Sequence, residues 1–187
     1  MKIIAGKFKK RNFFLPKGVR ATQDVVRKAL FDILGQDLEE VSFLELFAGS
    51  GAVGLEAISR GASRVVFVEK DPRAAEIIDL NIQRLNIKSA DSYDDSYHVI
   101  NSDVFIVVKQ LAQVKKKFVV VFVDPPYGAE LGKKTLKLLA AYDILQPDSS
   151  VVIQHDKHEN LPDNEGRFFA NKERKYGGTV LTFYEIK

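Results

Sequence analysis

Cysteine is absent from these 187 residues, which excludes a disulfide framework and any thiolate metal site, and fits a reducing compartment. Histidine is scarce. His98, His155 and His158 fall on different predicted elements, so no metal centre is expected. No apolar stretch approaches membrane length and none resembles a signal segment, so the chain is expected to be soluble, cytoplasmic and free of membrane contact. Linkers, internal repeats and low-complexity tracts are also missing. The length suffices for one sizeable α/β core and falls short of two ordinary domains. A single domain over 1–187 is expected, with an N-terminal basic arm and helix at 1–35 ahead of a core at 40–187. The net charge is only +3, so the overall balance identifies no partner.

The charge that is present is unevenly placed. Lys2, Lys7, Lys9, Lys10, Arg11, Lys17 and Arg20 all precede the first acidic residue, Asp24, with Phe8, Phe13 and Phe14 interleaved. Such a segment reads as a phosphate-contacting arm with aromatic faces. Alternate residues from Lys7 to Leu15 can face opposite ways, so a β-hairpin there can anchor phenylalanines on one side and meet nucleic acid on the other. After it, Thr22 is placed to cap a helix running to Leu34, with Val26, Ala29, Leu30, Ile33 and Leu34 on one face and Gly35 beyond its end. Arg20, Thr22, Arg27 and Lys28 lie at the start of that helix and on its polar side. The candidate nucleic-acid contacts are therefore Lys7, Lys9, Lys10, Arg11, Arg20, Thr22 and Arg27.

Strand and helix patterns then alternate. Strands are expected at 41–47, 64–68, 97–100, 118–123 and 151–155, and helices at 52–60, 71–85, 104–114 and 133–142. Asp71-Pro72 supplies an N-cap and an N1 proline for the second of these helices. The polar stretch 88–96 reads as a surface loop. Two extended runs, 167–174 and 179–186, flank Lys175-Tyr176-Gly177-Gly178 and should form an antiparallel hairpin at the sheet edge. Alternating units of this kind build a doubly wound, mainly parallel, Rossmann-like sheet whose ligands bind at the carboxyl ends of the strands.

Two motifs sit at such ends. The first, Phe43-Leu44-Glu45-Leu46-Phe47-Ala48-Gly49-Ser50-Gly51-Ala52-Val53-Gly54, runs an apolar strand into a glycine turn and then a helix, as in a nucleotide-binding βα unit. Gly49 and Gly51 allow a tight turn and a close approach to a ligand. The next strand ends at Glu69, placed to accept from both hydroxyls of a ribose. The spacing of Gly49, Gly51 and Gly54 with a later acidic residue is also the dinucleotide fingerprint, and taken alone it does not separate NAD from S-adenosylmethionine. Glu45, just before the turn where the amino-acid portion of a methyl donor would lie, favours the donor. Asp103, at another strand end, is a candidate for the donor's adenine amine, or a capping aspartate for the helix that follows.

The second motif, Asp124-Pro125-Pro126-Tyr127, also favours the donor, because hydride transfer has no use for it. An amino group on a flat ring is a poor nucleophile while its lone pair is delocalised. The Asp124 carboxylate and the Pro125 carbonyl can accept its two N–H bonds and draw the lone pair out of conjugation, while Tyr127 offers a stacking face. The prolines stiffen the segment and leave its carbonyls directed at a ligand. Without a cysteine, the covalent route that carbon methylation of a pyrimidine normally needs is closed. The expected site is thus Asp124, Pro125 and Tyr127 for chemistry, and Glu45, Phe47, Gly49, Ser50, Gly51, Glu69 and Asp103 for the donor.

Along nearly its whole length the chain resembles the bacterial small-subunit ribosomal RNA guanine-N2 methyltransferases. The resemblance rests on Ile3-Ile4-Ala5-Gly6-Lys7-Phe8-Lys9, on Asp24-Val25-Val26-Arg27-Lys28-Ala29-Leu30-Phe31-Asp32-Ile33-Leu34, on Leu46-Phe47-Ala48-Gly49-Ser50-Gly51, on Val68-Glu69-Lys70, on Asp124-Pro125-Pro126-Tyr127, and on Lys175-Tyr176-Gly177. It implies S-adenosylmethionine as donor and, as acceptor, a guanine 2-amino group in 16S ribosomal RNA; the small size and single short basic arm lead us to expect that RNA within an assembled or assembling small subunit. A monomer is expected. Adenine-N6 methylation of a nucleic acid, which the same tetrapeptide serves, and a non-catalytic RNA-binding role in ribosome assembly are the alternatives. The chain departs from the family pattern in having Ala21 where a proline is usual, Gln154 before His155 where a glutamate is common, and Glu45 in place of the commoner aspartate.

Overall fold

The most apolar runs of the chain lie side by side in the middle of the sheet. β1 (Ser42–Leu46) and β4 (Phe118–Val123) pair in parallel from Phe43↔Val120 to Leu46↔Val123. Every residue of β1 is buried, as expected for a parallel strand covered on both faces. β2 (Arg64–Glu69) and β3 (Tyr97–Asn101) extend the parallel sheet on one side, and β5 (Leu145–Asp156) on the other. Beyond β5 the direction reverses: β8 (Thr179–Ile186) pairs antiparallel to β5, β7 (Phe168–Tyr176) to β8, and the two-residue β6 (Asn164–Glu165) closes the edge. The sheet order is β3-β2-β1-β4-β5-β8-β7-β6. The chain thus steps outward from β1 and returns to its other side with β4, which opens a crevice between their carboxyl ends. This computed structural model describes residues 1–18, 22–87, 96–128 and 130–187. The expected contact at Arg20, the Ala21 departure and nearly all of the polar 88–96 stretch lie outside the described residues.

Period-two alternation sorts the strand side chains into two layers. Phe43, Val65, Phe67, Val120, Phe122 and Val152 pack on one face, beneath α1 (Asp24–Leu34), α2 (Ala52–Ser59) and α3 (Pro72–Arg84). Leu44, Leu46, Val66, Val68, Val121, Val123, Val151 and Ile153 pack on the other, beneath α4 (Val104–Gln113) and α5 (Leu131–Ala141). Burying each such Val, Leu or Phe contributes roughly 1.5–3 kcal/mol. β5 starts earlier than the 151–155 run expected from sequence. Its register against β4 shifts between Phe118 and Val120, and the intervening segment holds Pro147, which has no N–H to donate, and Asp148 at φ 59°. That irregularity hides the first half of the strand from a periodicity reading. Among the described residues no helix is long and apolar enough to cross a membrane.

The N-terminal arm differs from the expected hairpin. Its pairing is a single bridge, Lys2↔Asn12, with Ile3 N–H donating to Arg11 O at 3.0 Å and Phe13 N–H to Met1 O at 2.9 Å. The segment between turns tightly over the end of α2 and is not an alternating strand. At Gly6 (φ 75°) a Cβ would lie 1.8 Å from Ser59 O, and Ser59 Oγ donates to Ala5 O at 2.5 Å. Ile3 and Phe13 are buried in the same layer as α1.

Two side chains read from sequence as nucleic-acid contacts have other duties. Thr22 is buried and does not cap α1; Gln23 holds the N-cap position, with no side-chain bond. Arg27 is fully buried. Its guanidinium donates to Lys2 O at 2.8 Å and Asp24 Oδ1 at 2.7 Å, and stands 3.6 Å from Glu56 Oε2. An arginine surrounded in this way cannot reach phosphate, and amphipathic counting misplaced it because its partners lie on other elements.

Glu56, on α2, is the hub of this network. It accepts from the N–H groups of Ile4 (2.8 Å) and Ala5 (2.9 Å), and from Arg60 Nε (3.1 Å) and Nη2 (2.9 Å). Removing one member of a buried charge cluster strands the others without solvent, at about 3–5 kcal/mol. Glu56→Ala should therefore lower the unfolding free energy by about that amount in urea titrations. Asp24→Ala, whose carboxylate side chain is 67% exposed, should cost under about 1 kcal/mol. Equal losses would mean that the buried network does not hold the arm to α2.

Candidate active site

The turn after β1 is built from unusual backbone. Phe47, Gly49 and Gly51 all have positive φ, at 59°, 54° and 69°, and for the non-glycine Phe47 this costs roughly 1–2 kcal/mol. Ala48 N–H donates to Val68 O at 3.0 Å and Gly51 N–H to Ala48 O at 2.7 Å, which folds the turn back over the end of β2. Gly51 then caps α2. Gly54 is required for packing, since a Cβ there would lie 2.2 Å from Phe67 Cε1 and 2.6 Å from Glu45 Oε2.

Glu45 is not where the sequence reading put it. It shares the α2 face with Phe43, is 3% exposed, and its two oxygens accept from Val53 N–H at 3.3 Å and Gly54 N–H at 2.8 Å. It braces the first turn of α2 from beneath and does not line the cavity. Burial pushes its carboxyl up from 4.5 to about 8, against the pull of the Gly54 and Val53 N–H groups; the charges of Asp124 and Glu69 push the same way as burial.

Glu69 ends β2 beside the turn. Its Oε2 accepts from Gly49 N–H at 2.7 Å and its Oε1 from Asp71 N–H at 2.8 Å. Each carboxylate oxygen carries two lone pairs, so both can still accept from a diol. Asp103, at the end of β3, caps α4 through Phe105 N–H at 2.9 Å and pairs with Lys70 Nζ at 3.1 Å. It caps a helix and lines the cavity at once.

Across the crevice, β4 ends in Asp124, whose N–H donates to Leu46 O at 3.2 Å. Thr22 Oγ1 donates to Asp124 Oδ2 at 3.0 Å, a contact spanning 102 residues that no local pattern could reveal. Pro125 is buried, and Tyr127 is half-buried with its hydroxyl 3.1 Å from Thr179 Oγ1. One cavity of about 590 Å³ joins all of this. Phe47, Gly49, Ser50, Glu69 and Asp103 line one end; Thr22, Asp124, Pro125, Tyr127 and Gln154 line the other. Its size suits a small ligand together with part of a second. Of the residues expected from sequence, Glu45 and Gly51 shape this cavity from behind it. Two further lining residues were not expected in this cavity: Thr22, expected as a cap and nucleic-acid contact, and Gln154, noted only as a departure from the family pattern.

The basic arm stands apart from the chemistry. Lys7, Lys9, Lys10 and Arg11 are exposed on the tight turn, and Gly18 brings the arm to the cavity wall. Among the described residues no group of three His, Cys, Asp or Glu side chains is placed to hold a metal ion.

The family model described as Conserved hypothetical protein 95 matches residues 1–185. The ribosomal RNA small subunit methyltransferase D of Haemophilus influenzae is 34% identical over 170 residues, 88% of this chain and 84% of that protein. Its namesake from Escherichia coli K12 is 29% identical over 187 residues, covering 99% and 89%. A solved structure of a hypothetical protein from Thermus thermophilus superposes with a TM-score of 0.82 at 31% identity, over 98% of both chains.

The buried Glu45 carboxyl gives the fold a pH signature. Its folded-state pKa, about 8, lies above its ordinary 4.5, so its stabilising contribution is complete below pH 4.5 and is lost as pH rises through 8. Glu45→Gln should flatten the decline of unfolding free energy between about pH 5 and pH 8. An unchanged slope would mean that Glu45 is ionised throughout that range.

Proposed function

The chain belongs to the family described as Conserved hypothetical protein 95, together with the ribosomal RNA small subunit methyltransferases D, and from that premise we propose that it transfers a methyl group from S-adenosylmethionine to the 2-amino group of a guanine in 16S ribosomal RNA. The observation that carries the reading is the single cavity in which the glycine turn and Glu69 face Asp124-Pro125-Pro126-Tyr127. One end suits an adenosine; the other suits a planar base bearing an amine.

The bound donor supplies an electrophilic sulfonium methyl. The residues of the chain do the rest. Glu69 accepts from ribose hydroxyls, and the turn with positive φ at Phe47, Gly49 and Gly51 lets the backbone of Phe47, Gly49 and Ser50 approach the ligand where a regular strand end could not. Asp103 accepts from the adenine amine while it caps α4. Asp124, oriented by Thr22, and the Pro125 carbonyl accept from the acceptor amine. This turns its lone pair out of the ring, and Asp124 takes the proton that the amine sheds. Holding the reacting groups in line contributes on the order of 7–11 kcal/mol, so positioning outweighs acid-base help. The base must leave its stack at a cost of a few kcal/mol, which stacking on Tyr127, worth roughly 1–3 kcal/mol, offsets in large part.

Lys7, Lys9, Lys10 and Arg11 contact RNA phosphates outside the cavity. A domain spanning 1–187 with so short a basic arm presents little surface for reading sequence, so a preformed small subunit offering one loop in fixed geometry is the better substrate. The enzyme acts as a cytoplasmic monomer.

Three measurements test these statements. Asp124→Ala should abolish transfer of labelled methyl to small-subunit RNA while donor affinity by calorimetry stays within about twofold, since each ~1.4 kcal/mol of lost contact would show as tenfold. The nucleoside formed should be N2-methylguanosine; label in N6-methyladenosine overturns the acceptor. Replacing Lys7, Lys9, Lys10 and Arg11 with glutamine should make the fall of log affinity with log salt shallower by about 0.7–0.9 per lost contact. Deleting the arm would be uninformative, because it removes Ile3 and Phe13 from the core. An unchanged slope in the folded variant would leave the arm a purely structural role.

A further inference from the structure

Gln154 is 5% exposed and lines the acceptor end of the cavity, and its Oε1 is buried with no hydrogen-bond partner among the described residues. Buried amide oxygens are almost always satisfied, so an orphaned one in a cavity wall is an acceptor waiting for a donor. The sheet fixes where it points. β4 and β5 run in parallel with Val123 opposite Ile153, and Asp124 and Gln154 are the next pair along. Both continue the rows that include Phe122 and Val152, on the face covered by α1, so the amide stands beside the carboxylate that receives the acceptor amine. The neighbouring polar group on β5 is already engaged: His155 Nδ1 lies 3.0 Å from Asp156 O, and Nε2 lies 2.8 Å from Thr182 Oγ1.

We infer that Gln154 reads the acceptor base, its Oε1 accepting the ring N–H adjacent to the amine that is methylated. This rests on the reading of the site as a transferase to a base amine, and it deepens that reading by assigning the base. Guanine presents two donor groups side by side on this edge, the 2-amino group and N1–H. Adenine presents a donor, its 6-amino group, beside an N1 lone pair. An acceptor next to the amine-binding carboxylate is satisfied by guanine. Against adenine the same oxygen would face the N1 lone pair, and the side chain must turn its amide over to offer Nε2–H2 instead, whereas guanine binds to the amide in the orientation the structure already holds. Gln154 is therefore a specificity-determining residue, and Asp124 with Pro125 the amine-polarising pair.

The test uses the full-length protein, labelled donor and undermethylated small ribosomal subunits, with nucleoside analysis of the product. Gln154→Met keeps the length of the side chain and removes the acceptor. It should lower kcat/KM by on the order of 10- to 100-fold, with donor affinity and melting temperature unchanged. Gln154→Glu, which keeps an oxygen at the same reach, should restore most of the rate. If the wild type forms N2-methylguanosine and Gln154→Met matches its rate, the assignment of Gln154 is overturned while the guanine reading stands. If Gln154→Met and Gln154→Glu lose rate and donor affinity together, the residue is structural and the assignment is again overturned. A wild type that forms no N2-methylguanosine defeats the guanine reading itself.

Discussion

The parallel pairing of β1 with β4 is the constraint on which the rest depends. Four successive residue pairs, from Phe43↔Val120 to Leu46↔Val123, bring the two strands to the same level, and the bond from Asp124 N–H to Leu46 O locks their ends together. Each strand then continues into a segment that can no longer be strand. After β1 the backbone goes to positive φ at Phe47, Gly49 and Gly51; after β4 two prolines remove the donors that would extend the ladder. Two non-strand segments leaving adjacent strands at one level must diverge, and the space between them is the cavity. A one-residue slip of β4 would turn the Asp124 side chain toward the α4–α5 layer and empty the acceptor end.

Charge is arranged to match. Asp124, Glu69 and Asp103 line the cavity, with Glu45 just behind the turn, and the exposed cations of the arm lie outside it. Among the described residues the one cation in the lining, Lys70, is paired with Asp103, so the carboxylates outnumber it and the cavity favours a cationic donor over phosphate. Under the proposed function, polynucleotide is held by its backbone outside, while a neutral base enters. The two ligands are thus sorted by charge before any hydrogen bond is compared, since fields within a low-dielectric cleft are strong and those at the exposed arm are screened within about 8–10 Å. Burial of Glu45 keeps one of these charges in reserve: a carboxyl neutral in the folded protein at neutral pH still accepts from the first turn of α2 without adding another full negative charge beneath the ligand.

Much of this was legible in the order of residues. The alternation of apolar runs placed every parallel strand, and the glycine turn, Glu69 and Asp124-Pro125-Pro126-Tyr127 stood at strand ends because strand ends are where such residues are compatible with the fold. What local pattern could not supply was partnership across the chain. Arg27 occupies a position that helical counting marks as polar surface, yet its partners Lys2 O and Glu56 come from other segments. Thr22 has the composition of a cap and the location of an active-site residue. Gln154 lies within β5 after an ordinary apolar run, and the role proposed for it depends on β5 lying next to β4, which sequence order alone does not dictate. The early start of β5 was hidden by Pro147, where the pairing breaks register.

The N-terminal arm acquires a different meaning from these contacts. Glu56 ties residues 4 and 5 to α2, Arg27 ties residue 2 to α1, and Thr22, just before α1, reaches Asp124. Polar contacts therefore hold the start of the arm to α1 and α2, and a separate one holds the residue before α1 to Asp124. The Glu56 and Arg27 side chains are themselves buried, so displacing the turn would leave their charges without partners. The arm is thus built into the fold, whatever it contacts outside it. Its basic residues can vary with little effect on the fold, because they are exposed; Ile3 and Phe13, buried in the core, and Gly6, where a Cβ would meet Ser59 O, cannot.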